Sequence, residues 1–233
     1  MVTVASYNIR KAIGSDRRRR PDRVIEVLHE IDADVIALQE ADRRFGDRAS
    51  AIPFHMLAEH SHYRPVPFDV RVGSIGWHGN TVLVREGVEV IRACTLAIPA
   101  LEPRGAVLAD LVVNGRPVRV VGMHLDLSGL WRRKQARAIL NHLHAQPEQL
   151  PTVMMGDLNE WSAASGCLRD FGHDHHFAPS FPSFPARRPI GRLDRIMLSR
   201  DIAVEDAGVH HSPVARTASD HLPVWARLRL DLA

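Results

Sequence analysis

Apolar residues come in short runs along this chain, and most runs end on a polar residue. Val2 to Ile9 opens as a strand. Pro21 is placed to start a helix, and Val24, Val27, Leu28 and Ile31 follow at i, i+3, i+4 and i+7, one apolar helical face. Val35 to Leu38 is a short buried strand that delivers Glu40 at its end. Asn80 to Arg85 and Val88 to Ala93 read as a strand pair around Glu86-Gly87. Val107 to Val113 and Val118 to Met123 flank Asn114-Gly115, a strong two-residue hairpin signal. Ser128 is a candidate cap for a helix whose apolar face is Ala136, Ile139, Leu140 and Leu143. Thr152 to Met155 is another strand. Ala178 to Arg192 contains four prolines and reads as a loop, and Leu193–Ser199, Ala203–Val209 and Pro223–Leu230 are the closing strands. Strands dominate and hairpins favour antiparallel pairing. Two packed sheets with helices outside accommodate this pattern.

The polar residues at the strand ends carry the chemistry. Asn8 follows the first strand and Gln39-Glu40 the second. His124 and Asp126 follow Val120–Met123, and Asp157 and Asn159 follow Val153–Met155. Asp194 opens the run Ile196–Leu198, and Asp220-His221 precedes Leu222–Val224. Any one of these reads equally as a turn residue or cap; six such places in one chain suggest a site. Glu40 supplies a carboxylate and Asn8 a neutral oxygen, ligands suited to Mg²⁺ or Mn²⁺ rather than Zn²⁺. Asp157 can orient or deprotonate a water, and Asn159 can hold that water or a non-bridging oxygen. His221 titrates near neutrality and Asp194 can fix its tautomer, while His124 is a second donor for an anionic oxygen. Such a set suits in-line attack on phosphorus.

Composition narrows the class. The 233 residues are 45% apolar and 24% charged, with a formal charge of only +3, as in an ordinary globular protein. That length is ample for a core, and no linker divides the chain, so a single domain over 1–233 is expected. Only Lys11 and Lys134 are lysines, so 28 of the 30 basic residues are Arg, whose fork suits phosphate and carboxylate. Cys94 and Cys167 are too few for a disulfide framework. With neither a signal peptide nor a run near the ~20 apolar residues of a membrane span, a cytoplasmic protein is expected.

The ordered set Ser6-Tyr7-Asn8, Leu38-Gln39-Glu40, Gly122-Met123-His124-Leu125, Gly156-Asp157-Leu158-Asn159, Leu193-Asp194-Arg195-Ile196 and Ser219-Asp220-His221-Leu222-Pro223 resembles the endonuclease/exonuclease/phosphatase superfamily, over residues 3 to about 226. The resemblance implies a four-layer α/β/β/α sandwich of two mainly antiparallel sheets. It implies a divalent-metal site at Glu40 with Asn8 and Asp220 close by, Mg²⁺ or Mn²⁺ as cofactor, and hydrolysis of a phosphoester. It assigns water activation to Asp157 beside Asn159, and phosphate contact to His221 backed by Asp194. His124 matches deoxyribonuclease-like and phosphatase-like members, where abasic-site enzymes carry Tyr. The acid with which deoxyribonucleases orient this His has no obvious counterpart in Arg71 to Asn80, although Gly79-Asn80 matches many bacterial members and makes Asn80 a candidate site residue or turn.

Loops choose the substrate. Arg17 to Arg20 and Arg43-Arg44 are basic stretches, the former reading as a solvated loop or a phosphate contact. Arg132-Arg133 read as an exposed helix face. Arg187-Arg188, just before Asp194, make Arg188 a candidate substrate contact. Trp77 and Trp161 read as core residues, with stacking on a base or contact with lipid as the alternative, and His173-Asp174-His175-His176 as a polar loop or surface rather than a zinc site. The chain is short for this superfamily and is most similar to compact bacterial members. The favoured expectation is a phosphodiesterase acting on a small phosphodiester, such as a phospholipid headgroup; the alternatives are a DNA or RNA nuclease and a non-catalytic phosphate- or lipid-binding protein. No obligate protein partner is evident.

Overall fold

The computed structural model describes residues 1–43, 46–68 and 73–230, so Arg44, Arg71 and Val72, named above, lie outside the described residues. The first half of the chain contributes β1 (Val2–Asn8), a 3-10 turn (Arg10–Ala12), α1 (Pro21–Ile31), β2 (Val35–Gln39), α2 (Phe54–His60), β3 (Tyr63–Pro65) and β4 (Thr81–Arg85). Then come β5 (Glu89–Leu96), β6 (Gly105–Val113), β7 (Arg116–His124), α3 (Gly129–His144), β8 (Thr152–Asp157), α4 (Cys167–Phe171) and β9 (His175–Phe177). The closing elements are β10 (Asp194–Ser199), β11 (Ile202–Val209), α5 (Ala215–Ala218) and β12 (Val224–Leu230).

The strands form two six-stranded sheets, in the orders β11-β12-β1-β2-β4-β3 and β5-β6-β7-β8-β10-β9. Each sheet has one parallel pair at its centre, β1–β2 and β7–β8, and antiparallel pairs on both sides. Val4, Val35, Val107, Val120, Val153 and Ile196 belong to the buried layer between the sheets. Ile36, Leu38 and Leu83 face outward and pack with Val24, Val27 and Leu28 of α1. Leu108, Val121 and Met154 pack with Ile139 of α3 and Phe171 of α4. The result is the expected four layers. β1, β2 and β8 are covered on both faces, which is why their sequences run apolar without alternation.

Several expectations hold and several need correction. α1 starts with Pro21 in its first turn and buries Val24, Val27 and Leu28. α3 buries Ala136, Ile139, Leu140 and Leu143. Asn114-Gly115 makes the β6–β7 hairpin with both residues at positive φ, 52° and 75°, the conformation a two-residue turn requires. Glu86-Gly87, by contrast, does not make a hairpin. The Val88 N–H bonds the Arg85 carbonyl at 3.2 Å across a tight turn, but β4 pairs with β2 and β3 while β5 pairs with β6 in the other sheet. Ser128 occupies the N-cap position of α3 without a side-chain cap bond. Arg132 instead ties the preceding loop to the helix, its Nη1 donating to the carbonyls of Leu127 at 2.6 Å and Asp126 at 3.3 Å.

Candidate active site

The two parallel pairs explain why polar residues end so many strands. In a parallel pair both C-termini lie at one edge of the sheet. Asn8 is registered with Gln39 in one sheet, and His124 with Asp157 in the other. Asp194, the first residue of antiparallel β10, is registered with the same Asp157. The two edges meet, because Asn8 Nδ2 donates to Asp157 Oδ2 at 3.0 Å between residues 149 apart in the chain. Gly156, one residue before Asp157, has no room for a side chain. A Cβ there would lie 1.9 Å from the Met123 carbonyl oxygen.

Asp157 is the centre of the cluster and is almost fully buried. Its Oδ1 accepts the Asn159 N–H at 2.9 Å. Its Oδ2 accepts from Asn8 and also faces Nε2 of His124 at 3.4 Å and Nε2 of His221 at 3.6 Å. Asn159 takes a left-handed backbone, φ 50°, and its Nδ2 donates to the Leu125 carbonyl at 2.9 Å. The loop after β8 is thereby tied to the loop after β7. A further brace is Arg132, which bonds Glu160 Oε2 at 3.1 Å through Nη2. Arg132 is therefore buried and paired rather than part of an exposed helix face.

The two histidines have opposite electrostatics. His221 Nδ1 lies 2.9 Å from Asp194 Oδ2, which also accepts from the Ser183 hydroxyl. Burial by itself disfavours the imidazolium. The charges of Asp194 and then Asp157 outweigh it and raise the pKa to about 10. His221 is thus a cation at neutral pH, with Nδ1–H on Asp194 and Nε2–H aimed at Asp157. His124 is held neutral: burial pushes it down to about 3, and Arg104 opposes the pull of Asp157. The Arg104 guanidinium lies against both ring nitrogens of His124, 2.8 Å from Nδ1 and in still closer contact with Nε2. Among the described residues the ring is thus held between a guanidinium and Asp157.

The oxygen ligands expected for a metal surround the turn Arg10–Ala12, three consecutive residues at positive φ. Lys11 reaches Glu40 Oε2 through its ammonium, and Arg10 Nε lies 3.2 Å from Asp220 Oδ2. Asn8 Oδ1 accepts the Arg10 N–H at 3.1 Å, which leaves a second lone pair. Glu40 itself has φ 52°. Two carboxylates and an amide oxygen fit a hard divalent cation, whose charge would compete with Lys11 and Arg10. Asp157, Asp194 and His221 also lie within 4.8 Å of one another. An imidazolium offers no lone pair, so the Glu40 set is the better chemical match. A small cavity of about 50 Å³ is lined by Lys11, Glu40, Asp42, Arg48, Arg104 and His124.

Asn80 is buried beside this cluster, and a Cβ on Gly79 would lie 3.3 Å from the Glu40 Cα. The Asn80 amide donates to the Gly105 carbonyl at 3.0 Å, so it holds the loop before β4 to the start of β6. Arg188 lies exposed, its backbone N–H on the Pro185 carbonyl, and its side chain makes no hydrogen bond or ion pair with the cluster among the described residues. Arg17 to Arg20 are exposed, as the loop reading expects. Trp77 and Trp161 are 37% and 62% exposed, contrary to the expected burial. Of the histidine cluster, Asp174 pairs with His144 at 3.1 Å, and His175 and His176 lie in β9. Residue patterns pointed to Asp157, Asn159, Asp194, His221, His124, Asn8 and Glu40. Roles for Arg10, Lys11, Ser183 and Arg104 went unread, since a lone basic or hydroxyl residue carries no signal of its own.

Stacked sheets that bring carboxylates, amides and two histidines of opposite charge to one shared edge define a metal-dependent phosphoester hydrolase. The model of the Endonuclease/Exonuclease/phosphatase family matches residues 5–221. The chain belongs to that family. No curated protein matches it. Among solved structures, an endonuclease/exonuclease/phosphatase from Bacteroides vulgatus superposes with a TM-score of 0.80 at 20% identity, covering 99% of both chains. The mannosyl-6-phosphatase Bt3783 of Bacteroides thetaiotaomicron gives 0.73 at 20% identity, covering 98% of this chain and 100% of the other. D. rerio TDP2 in complex with a single-strand DNA product gives 0.74 at 16% identity, covering 98% of each. At these identities the likeness concerns the fold.

Proposed function

We propose that the chain is a single-domain phosphodiesterase that hydrolyses small phosphodiesters by in-line attack of water on phosphorus. The observation that carries this reading is the convergence on Asp157 Oδ2 of Asn8, His124 and His221. Asp157 is the base that orients and deprotonates the water, its other oxygen fixed by the Asn159 N–H. Asp157 is desolvated, so the proton it takes is not shared with bulk solvent. His221, cationic and backed by Asp194, donates Nε2–H to a non-bridging oxygen and stabilises the charge that grows there. His124 donates a second hydrogen from a neutral ring, and the Asn159 amide lies beside the same oxygen. Glu40, Asn8 and Asp220 are the residues that would hold Mg²⁺ or Mn²⁺. Bound there, the ion would supply Lewis-acid stabilisation of the phosphoryl and leaving oxygens.

The favoured substrate is a small diester, including a phospholipid headgroup. The support is the small size of the cavity beside Glu40 and His124, about 50 Å³. A nuclease is the second reading, for which the exposed Trp77 and Trp161 and the exposed Arg17–Arg20 loop are the supporting features. A cytoplasmic location is supported by Cys94 and Cys167, both free thiols. No helix among the described residues is long and apolar enough to cross a membrane.

The test is hydrolysis by wild type and His221→Ala with Mg²⁺, Mn²⁺ or EDTA. The substrates are bis-p-nitrophenyl phosphate, p-nitrophenyl phosphate, plasmid DNA, RNA and cardiolipin. EDTA-sensitive, His221-dependent cleavage of the small diester or cardiolipin supports the proposal. Preference for polynucleotide, with affinity falling steeply with salt, moves the assignment to a nuclease. Preference for the monoester moves it to a phosphatase.

A further inference from the structure

A cavity of about 610 Å³ lies away from the catalytic cluster, on the outer face beneath α4. Side chains alternate along β10, so Asp194 and Ile196 face the site and the inter-sheet core, while Arg195 and Met197 face outward. Arg195 lines the cavity and is 5% exposed, and its Nη1 is buried with no hydrogen-bond partner among the described residues.

The nearest carboxylates are already committed. Asp194 is engaged by His221 and Ser183, and Glu160 by Arg132 and the Ser162 N–H. Burial lowers the Arg195 pKa from its ordinary value against the attraction of Asp194, and Arg192 adds repulsion. A desolvated guanidinium without a paired carboxylate is costly, and the fork geometry suits carboxylate or phosphate. Around it the cavity presents two more basic side chains, Arg169 and His173, and an apolar wall of Ala164, Leu168 and Phe177. Its volume falls within the ~300–1,000 Å³ range of small-molecule sites.

We propose that this cavity is a second binding site, distinct from the catalytic cluster, for a small organic anion: a carboxylate or phosphate head seated on Arg195, with a short apolar body against Leu168 and Phe177. Two variants separate the head from the body. Arg195→Met removes the charge at similar volume and leaves no charge unpaired. Ala164→Trp fills the mouth from an exposed loop position, where it does not endanger the core.

The probes are octanoate, acetate and n-octanol, titrated calorimetrically into metal-free wild type and both variants, each checked by circular dichroism. Octanoate should bind wild type one to one with a Kd on the order of 1 mM or tighter, as its size allows. Acetate, which lacks the body, and octanol, which lacks the charge, should each bind at least 10-fold more weakly. Both variants should lose octanoate binding at least 10-fold. Inorganic phosphate, run in parallel, reports whether the head alone can be a phosphate. The proposal is overturned if octanoate does not bind wild type, if octanol binds as well as octanoate, or if either folded variant binds octanoate as wild type does.

Discussion

Replacing Asp194 with Asn exchanges one oxygen for an NH₂ at nearly constant volume, and the consequences can be worked through the His221 ring. In the wild type the carboxylate lies 2.9 Å from Nδ1, with His221 5% exposed, and the imidazolium persists to about pH 10. Of the charges that raise this pKa, Asp194 ranks before Asp157. Removing the Asp194 charge lowers the pKa from about 10 towards its ordinary value, a loss on the order of a few kcal/mol of imidazolium stabilisation. The neutral amide can also pair with the wrong tautomer. We expect kcat on bis-p-nitrophenyl phosphate to fall about 10²–10³-fold, with a smaller change in KM. The linkage has a definite sign. Because the folded pKa lies above the unfolded one, the pair's contribution to stability is fully present below about pH 6.5. It is lost progressively as pH rises towards and through about 10. Metal-free wild type should therefore lose stability across that window, by an amount on the order of a few kcal/mol, and Asp194→Asn should flatten the profile. The readouts are imidazole NMR titration of His221, urea unfolding between pH 6 and 10, and steady-state kinetics. Turnover within threefold of wild type, with His221 titrating where it does in the wild type, would refute the reasoning.

Three further outcomes follow from single contacts. Lys11→Met removes the ammonium that neutralises Glu40, so calorimetric Mn²⁺ affinity should rise about 3–10-fold; unchanged or weaker binding would mean that Lys11 does not compete for the carboxylate. Arg104→Ala frees Nδ1 of His124, so that ring should titrate above its wild-type value of about 3 in NMR, and kcat/KM should fall at least 10-fold on phosphoesters. Gly156→Ala drives a methyl into the Met123 carbonyl and must spread β7 from β8. Urea unfolding should show a loss of roughly 2–4 kcal/mol, and an effect below 0.5 kcal/mol would contradict the packing described.

Much of the site could be read from the chain because of one structural fact: the parallel pair at the centre of each sheet. Strands buried on both faces must be apolar throughout, so a polar residue at their ends stands out against the run. Asn8, Glu40, His124 and Asp157 were visible for this reason. The Asn114-Gly115 hairpin was visible because the turn itself demands two positive φ values. Glu86-Gly87 carries a similar local signal, with Gly87 at φ 91°, yet joins strands of different sheets. Turn chemistry fixes the turn and not the partner. The better clue was the contrast between the fully buried Thr81–Val84 and the largely exposed Glu89–Arg92, which suits a central strand and an edge strand rather than two neighbours.

The basic residues of the site were illegible for a different reason. With 28 arginines in 233 residues, a given guanidinium is anonymous until the fold supplies its partner. Arg132 sits on a helix at a position that reads as surface, and only the approach of Glu160, 28 residues later, buries it. Arg104 shows the functional cost of that anonymity. The resemblance implies an acid beside His124, which would hold the ring towards its charged form. The guanidinium does the reverse. It accepts no proton, and it adds positive charge beside a ring that burial already disfavours charging. The two histidines that flank Asp157 are thereby driven apart. His221, on Asp194, holds its proton through neutral pH, and His124, on Arg104, cannot gain a second one. A site built this way has one cationic imidazole and one neutral imidazole facing the same carboxylate oxygen. Exchanging their partners, with Asp at position 104, should make His124 the cation and erase that asymmetry.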